Sequence, residues 1–276
     1  AHQAPAITIA ERLARIEKAR KLTRDMGADA LLVGAGASLN YFAGVPWGAS
    51  ERLVGMLIPA TGDPLMICPF FELGSLEADM KITAEFRLWQ EHESPHALIG
   101  QAMSDWGAKV MAVDPAMSFE MVSRLGRETG LDIREASSVI NGCRMYKSAA
   151  ELALMQVAND ITITALRQVH AAVRPGMSGH DISALMDQAT VALGGAPEFS
   201  MVLLNEASAY PHGSKQKQTV REGSVILMDC GCSVHGYESD ISRSWVYGAP
   251  SAKQRQVWET VRRGQEIALE TARIGV

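Results

Sequence analysis

The chain has 276 residues, 47% of them apolar and 21% charged, with a formal net charge of -5. This is enough chain and apolar content for one large globular domain or two ordinary ones, without the basic excess of a nucleic-acid footprint. No apolar run approaches the ~20 residues that cross a bilayer, so neither nucleic acid nor membrane is an expected partner.

In chain order, Thr8 to Glu11 reads as a capping box, and Ile9, Leu13, Ile16 and Ala19 recur at helical spacing until Gly27. Short uncharged runs follow at Ala30–Gly34, Leu53–Ile58 and Leu65–Cys68, each suited to a buried strand. Lys109–Val113 is a further strand, ahead of a helical stretch through Phe119, Met121, Val122 and Leu125. Helices and strands alternate across this part, which is therefore expected to be an α/β doubly wound unit. A domain boundary is placed near 137, giving domains 1–136 and 137–276.

Beyond that boundary, Ser148 and Glu151 form a second capping box, heading a helix with Leu154, Ala158, Ile161, Ala165 and Val169 on one face. Arg174-Pro175-Gly176 stops it, and Ser178 with Asp181 caps the next, which carries Ile182, Leu185, Met186 and Ala189 before Gly194-Gly195. Strand-like segments then appear at Met201–Leu204, Ser224–Met228 and Arg243–Val246. The expectation is a helix pair on an antiparallel sheet, so the whole chain is α+β. A last helix runs from Ala252 through Val257, Val261 and Ala268.

Four cysteines, Cys68, Cys143, Cys230 and Cys232, are spread out except for one Cys-Gly-Cys, whose members are too close for an easy mutual bridge. That favours a reducing, cytoplasmic location, although a start at Ala1 without Met leaves a processed periplasmic or secreted end open.

The chemistry concentrates between Val225 and Ser244. Asp229 ends an apolar strand, where a carboxylate costs several kcal/mol unless a cation or several donors compensate it. If Gly231–Gly236 connect two antiparallel strands, Asp240, eleven positions on, folds toward it, and two acids at one point attract divalent cations. Spacing alone leaves open that Asp229 caps a turn and Asp240 pairs with Arg243. Upstream, His212 sits in the polar loop Tyr210-Pro211-His212-Gly213, where an imidazole could bind substrate or shuttle protons.

The order Pro211-His212-Gly213, Asp229-Cys230-Gly231 and Gly236-Tyr237-Glu238-Ser239-Asp240-Ile241-Ser242-Arg243-Ser244 resembles the pita-bread metallopeptidases, which include prolidase, aminopeptidase P and methionine aminopeptidase. Arg144–Glu151 and Arg174–Met177 are similar to the entry and first helix turn of the catalytic domain. Ser38-Leu39-Asn40-Tyr41-Phe42-Ala43-Gly44 looks like the amino-terminal domain of the prolidase and creatinase branch, which methionine aminopeptidase lacks.

The resemblance implies a creatinase/prolidase-like domain followed by the first half of a pita-bread domain, with Asp229 and Asp240 as metal ligands and His212 as the residue orienting substrate. It implies two divalent metal ions, manganese first with cobalt or zinc as alternatives, that activate a bridging water. The implied reaction is hydrolysis of Xaa-Pro dipeptides. Release of the first residue from longer Xaa-Pro peptides is the alternative, and a non-catalytic binding protein is the rival from another class. The expected partners are a small peptide with proline after the scissile bond and a second copy in a homodimer. The family's remaining ligands, a histidine and two glutamates, have no match after Asp240, and the carboxy-terminal half of the catalytic domain is expected to be missing. Glu259, Glu266 and Glu270 lie on the last helical pattern as a solvated face.

Overall fold

A computed structural model describes residues 3–214 and 216–276. The chain divides into two compact units, Pro5–Leu152 and a second made chiefly of Ala153–Val276.

The amino-terminal unit is built on a six-stranded mixed sheet. In chain order its elements are α1 (Ile9–Asp25), β1 (Ala30–Gly34), α2 (Ala37–Ala43), β2 (Gly55–Pro59), β3 (Leu65–Pro69), α3 (Leu73–Asp79), β4 (Glu85–Trp89), α4 (Pro95–Asp105), β5 (Val110–Val113), α5 (Phe119–Thr129), β6 (Asp132–Glu135) and α6 (Ser137–Arg144). The strand order is β4-β3-β2-β1-β5-β6. Pairs β1/β2 and β2/β3 are antiparallel and the others parallel, so the sheet is not the uniformly parallel one of a simple doubly wound unit. Every residue of β1, β2 and β3 is buried, which is why these segments read as unbroken apolar runs. One sheet face packs under Ile16, Leu39, Phe42, Val139 and Ile140, the other under Ile99, Met103 and Leu125.

Three expectations change here. The boundary moves from near 137 to between Leu152 and Ala153, because Ala136, Val139, Ile140 and Cys143 belong to the amino-terminal core. The apolar stripe of α1 is only half buried: Ile9 and Leu13 are exposed, and Arg12 and Arg15 take the inner positions with Ile16 and Ala19. The guanidinium of Arg12 donates to the Asn40 carbonyl at 2.6 Å and that of Arg15 to the Tyr41 carbonyl at 2.9 Å, so these arginines satisfy the end of α2. Thr8 accepts the Glu11 N–H at 3.2 Å, but Glu11 takes Ser148 Oγ and Arg15 instead of closing the capping box.

The second unit is the expected helix pair on an antiparallel sheet. Helix α7 (Ala149–Ala172) is headed by the Ser148/Glu151 capping box, with reciprocal bonds of 2.8 and 3.2 Å. Helix α8 (Gly179–Ala192) has its own box from Ser178 and Asp181. Strands β7 (Ala196–Leu204), β8 (Val225–Val234), β9 (Tyr237–Glu238) and β10 (Ile241–Val246) follow, then α9 (Ala252–Thr271). The central strand β8 pairs antiparallel with β7 on one side and with β9 and β10 on the other. Alternate residues Ile226, Met228 and Cys230 bury against Ala165, Leu166, Val169, Ile182 and Met186, and the opposite sheet face carries the candidate site.

Candidate active site

Strand β8 runs further than the sequence suggested. Asp229 lies in its middle, and the connection is only the two-residue turn His235-Gly236. Both turn residues have positive φ, 50° and 79°, as a type I′ hairpin requires. Asp229 is therefore not an acid closing an apolar strand. It is half-buried on the face turned away from the helices, and it accepts the Ser242 hydroxyl at 2.6 Å.

The hairpin register sets the geometry of the two carboxylates. Val234 pairs with Tyr237, Ile241 with Cys230, and Ser242 with Asp229. Continued through the break between β9 and β10, this register sets Asp240 opposite Gly231, on the same sheet face as Asp229 and diagonal to it. Diagonal cross-strand neighbours lie about 7–8 Å apart at the backbone, with their Cβ atoms closer. The residue between them is Gly231. A Cβ there would fall 2.3 Å from the Ser239 carbonyl oxygen and 2.5 Å from the Phe199 ring, so glycine lets the neighbouring strand close in beside Asp229.

The alternative pairings raised by spacing do not form. Arg243 donates to the Ser242 carbonyl at 2.7 Å, and among the described residues Asp240 has no hydrogen-bond or ion-pair partner. Asp240 is exposed.

His212 follows a short 3-10 turn, Asn205–Ala209. Asn205 holds φ at 48° and accepts the Val225 N–H at 3.1 Å through its side chain, which anchors the loop to the start of β8. Gly213 packs so closely on Leu203 that a Cβ would meet its Cδ2 at 2.7 Å. Leu203 pairs with Leu227, and Met201 with Asp229, so the His212 loop is seated on the carboxylate-bearing face, one step of about 7 Å along the strand from the Asp229 pair. The imidazole is exposed.

Cys230 points to the opposite side, into the helix-facing core. Burial, with Asp229 and Asp187 adding to it, pushes its thiol up to about 12, so it stays protonated and offers neither a thiolate ligand nor a nucleophile. On α9, Glu266 and Glu270 bind Arg262 and Arg263, which agrees with the solvated face read from the sequence.

The donors fit a divalent cation in kind. Carboxylate oxygens on one face are ligands such ions accept, and Asp240 has no competing partner. Among the described residues no cluster of three His, Cys, Asp or Glu gathers.

Residues 153–276 match the metallopeptidase family M24, and residues 15–146 match the creatinase/prolidase N-terminal domain. The chain thus carries a creatinase/prolidase N-terminal domain ahead of an M24 metallopeptidase domain. It is 24% identical to the Xaa-Pro dipeptidase of Lactobacillus helveticus over 95% of this chain and 73% of that protein. The crystal structure of dipeptidase PepE from Mycobacterium ulcerans superposes with a TM-score of 0.85 at 26% identity, covering 95% of this chain and 71% of that one. Recombinant prolidase from Thermococcus sibiricus shares the fold, with a TM-score of 0.83 at 24% identity over 94% and 71% of the two chains. The family implies divalent metal ions and a peptide substrate.

Proposed function

We propose that this chain hydrolyses Xaa-Pro dipeptides, with Asp229 and Asp240 as metal ligands and His212 as the residue that orients the substrate. The observation that carries the reading is the diagonal placement of two carboxylates on one sheet face, across a glycine. When bound there, divalent cations supply Lewis-acid activation of water and of the scissile carbonyl. The metal pair is taken to be manganese, with cobalt and zinc as alternatives the same donors accept.

The chain's own residues do the positioning. Ser242 holds one oxygen of Asp229 by a 2.6 Å hydrogen bond and so orients the carboxylate. His212, on the loop seated over Leu203, donates to the substrate and keeps its carbonyl near the two acids. A proline after the scissile bond has no N–H to offer, so its ring is recognised by shape. Phe199, Met201, Leu203 and Leu227, whose register puts them on the same face, supply an apolar floor for it.

The test is hydrolysis of Ala-Pro, Ala-Ala and a tripeptide with proline second, before and after chelation, with Asp240→Ala as control. Chelator-sensitive cleavage of Ala-Pro alone is expected. Cleavage of the tripeptide moves the assignment to an aminopeptidase, and no hydrolysis with manganese, cobalt or zinc refutes catalysis. The proposal includes a cytoplasmic homodimer: the four cysteines are free and buried, light scattering checks the dimer, and cell fractionation checks the location.

A further inference from the structure

Behind Asp240, on the face of the hairpin turned to the helices, lies a polar cluster that hydrophobic packing does not require. Ser239 is 3% exposed and Thr162, on α7, is 0% exposed, and their hydroxyls meet at 2.7 Å. The Ser239 hydroxyl also accepts the Cys232 N–H at 3.0 Å and reaches the Cys232 carbonyl at 3.2 Å. Thr162 bonds the Cys232 sulfur at 3.3 Å, and that sulfur contacts the Ala158 carbonyl at 3.4 Å. Two buried hydroxyls and a thiol thus tie helix α7 to both strands of the hairpin at one level.

That level is where the ladder is interrupted. Regular pairing stops after Glu238 and resumes at Ile241. Between them the backbone keeps the Ser239 N–H to Cys232 carbonyl bond of 2.9 Å. Asp240 itself is exposed and has no partner among the described residues. Its side chain is therefore aimed by the backbone of Ser239, and Ser239 is held from behind by Thr162. A pair of apolar residues would fill the same space without the desolvation cost of buried hydroxyls.

We infer that Thr162 and Ser239 are positioning residues that fix the Asp240 carboxylate for metal binding by locking the interrupted segment of the hairpin to helix α7. The inference rests on the proposed metal role of Asp240. Groups that orient a metal ligand without touching the metal cost about 10- to 100-fold in affinity or activity when removed. Thr162→Val keeps the shape and removes the hydroxyl, Ser239→Ala truncates the other end, and Thr162→Ser restores the hydroxyl.

The experiment is calorimetric titration of manganese into the intact polypeptide and these variants, each checked for folding by circular dichroism and thermal melting, beside wild type and Asp240→Ala. The kcat and KM for Ala-Pro are measured in parallel. Expected are a roughly tenfold or larger loss of manganese affinity in Thr162→Val and Ser239→Ala, with KM little changed, and recovery in Thr162→Ser. Folded Thr162→Val or Ser239→Ala with wild-type affinity overturns the inference, as does Thr162→Ser behaving like Thr162→Val. Should Thr162→Val not fold, Ser239→Ala alone decides. If wild type does not bind manganese, or Asp240→Ala binds it unchanged, the metal role has failed; if that control behaves and the hydroxyl variants bind normally, only the positioning role has.

Discussion

Adding one methyl group at Gly231 tests the geometry of the site. The new Cβ would lie 2.3 Å from the Ser239 carbonyl oxygen and 2.5 Å from Phe199 Cε1, whereas carbon and carbonyl oxygen meet at about 3.3 Å or more. The Phe199 ring can turn aside, but the oxygen belongs to backbone and must retreat by about 1 Å. Ser239 is bonded to Thr162 and Cys232 and cannot move alone, so the strain spreads into Asp240, the next residue. Overpacking of this kind costs about 1–3 kcal/mol in stability, and a displacement of ~1 Å in a catalytic group costs about 100-fold in rate. Gly231→Ala should therefore fold, with a lowered urea midpoint, and hydrolyse Ala-Pro about 100-fold more slowly at saturating manganese. A variant that keeps wild-type kcat and midpoint would refute the argument that the close approach at Gly231 sets the position of Asp240.

Other changes probe different parts of the molecule. Ser242→Ala removes the hydroxyl that orients Asp229 at 2.6 Å, and manganese titration should show roughly tenfold weaker binding with an unchanged fold. Ser148→Ala deletes both the cap of α7 and the bond to Glu11, and urea denaturation should register a loss of about 1–2 kcal/mol. Phe42 is fully buried beneath the amino-terminal sheet, so Phe42→Ala should cost about 3–5 kcal/mol in that unit. The backbone N–H groups of Lys109 and Val110 hold the Asp29 carboxyl below its ordinary value of 3.8. A depressed folded value means that its contribution is present above 3.8 and is lost as pH falls through the lower folded value. Urea midpoints of wild type and Asp29→Asn should therefore converge across that acid window and differ above it; a constant difference would contradict the assignment.

Much of the fold was legible because its signals were local. The buried strands β1 and β3 were continuous apolar runs between glycines, prolines and charges, and the caps at Ser148 and Ser178 announced their helices. Strands β4 and β6 escaped because they lie at the sheet edges and mix charged with apolar residues, as in Glu85-Phe-Arg-Leu-Trp89 and Asp132-Ile-Arg-Glu135. The inner face of α1 was misread because Arg12 and Arg15 are buried by carbonyls of α2, a tertiary partnership that periodicity does not encode.

In the site, the residue types and their order pointed to Asp229, Asp240 and His212, but the length of β8 did not show. Cys230-Gly-Cys232 looked like the start of a loop because of its glycine, whereas Gly231 is a close-approach position inside a strand. The supporting roles of Thr162, Ser239 and Asn205 had no sequence signal, since each depends on a partner that only the fold brings near: Thr162 and Ser239 are 77 positions apart, Asn205 and Val225 20.

The alternation along β8 separates two kinds of selection. Ile226, Met228 and Cys230 answer to the helices, Leu227 and Asp229 answer to whatever occupies the opposite face, and Gly231 answers to the neighbouring strand. Inherited variation along this strand should therefore alternate from 226 to 230: changes at Ile226, Met228 and Cys230 show as loss of soluble protein, changes at Leu227 and Asp229 as protein that accumulates normally with altered chemistry. Such a strand lets the reactive surface be revised by mutation without reopening the folding problem.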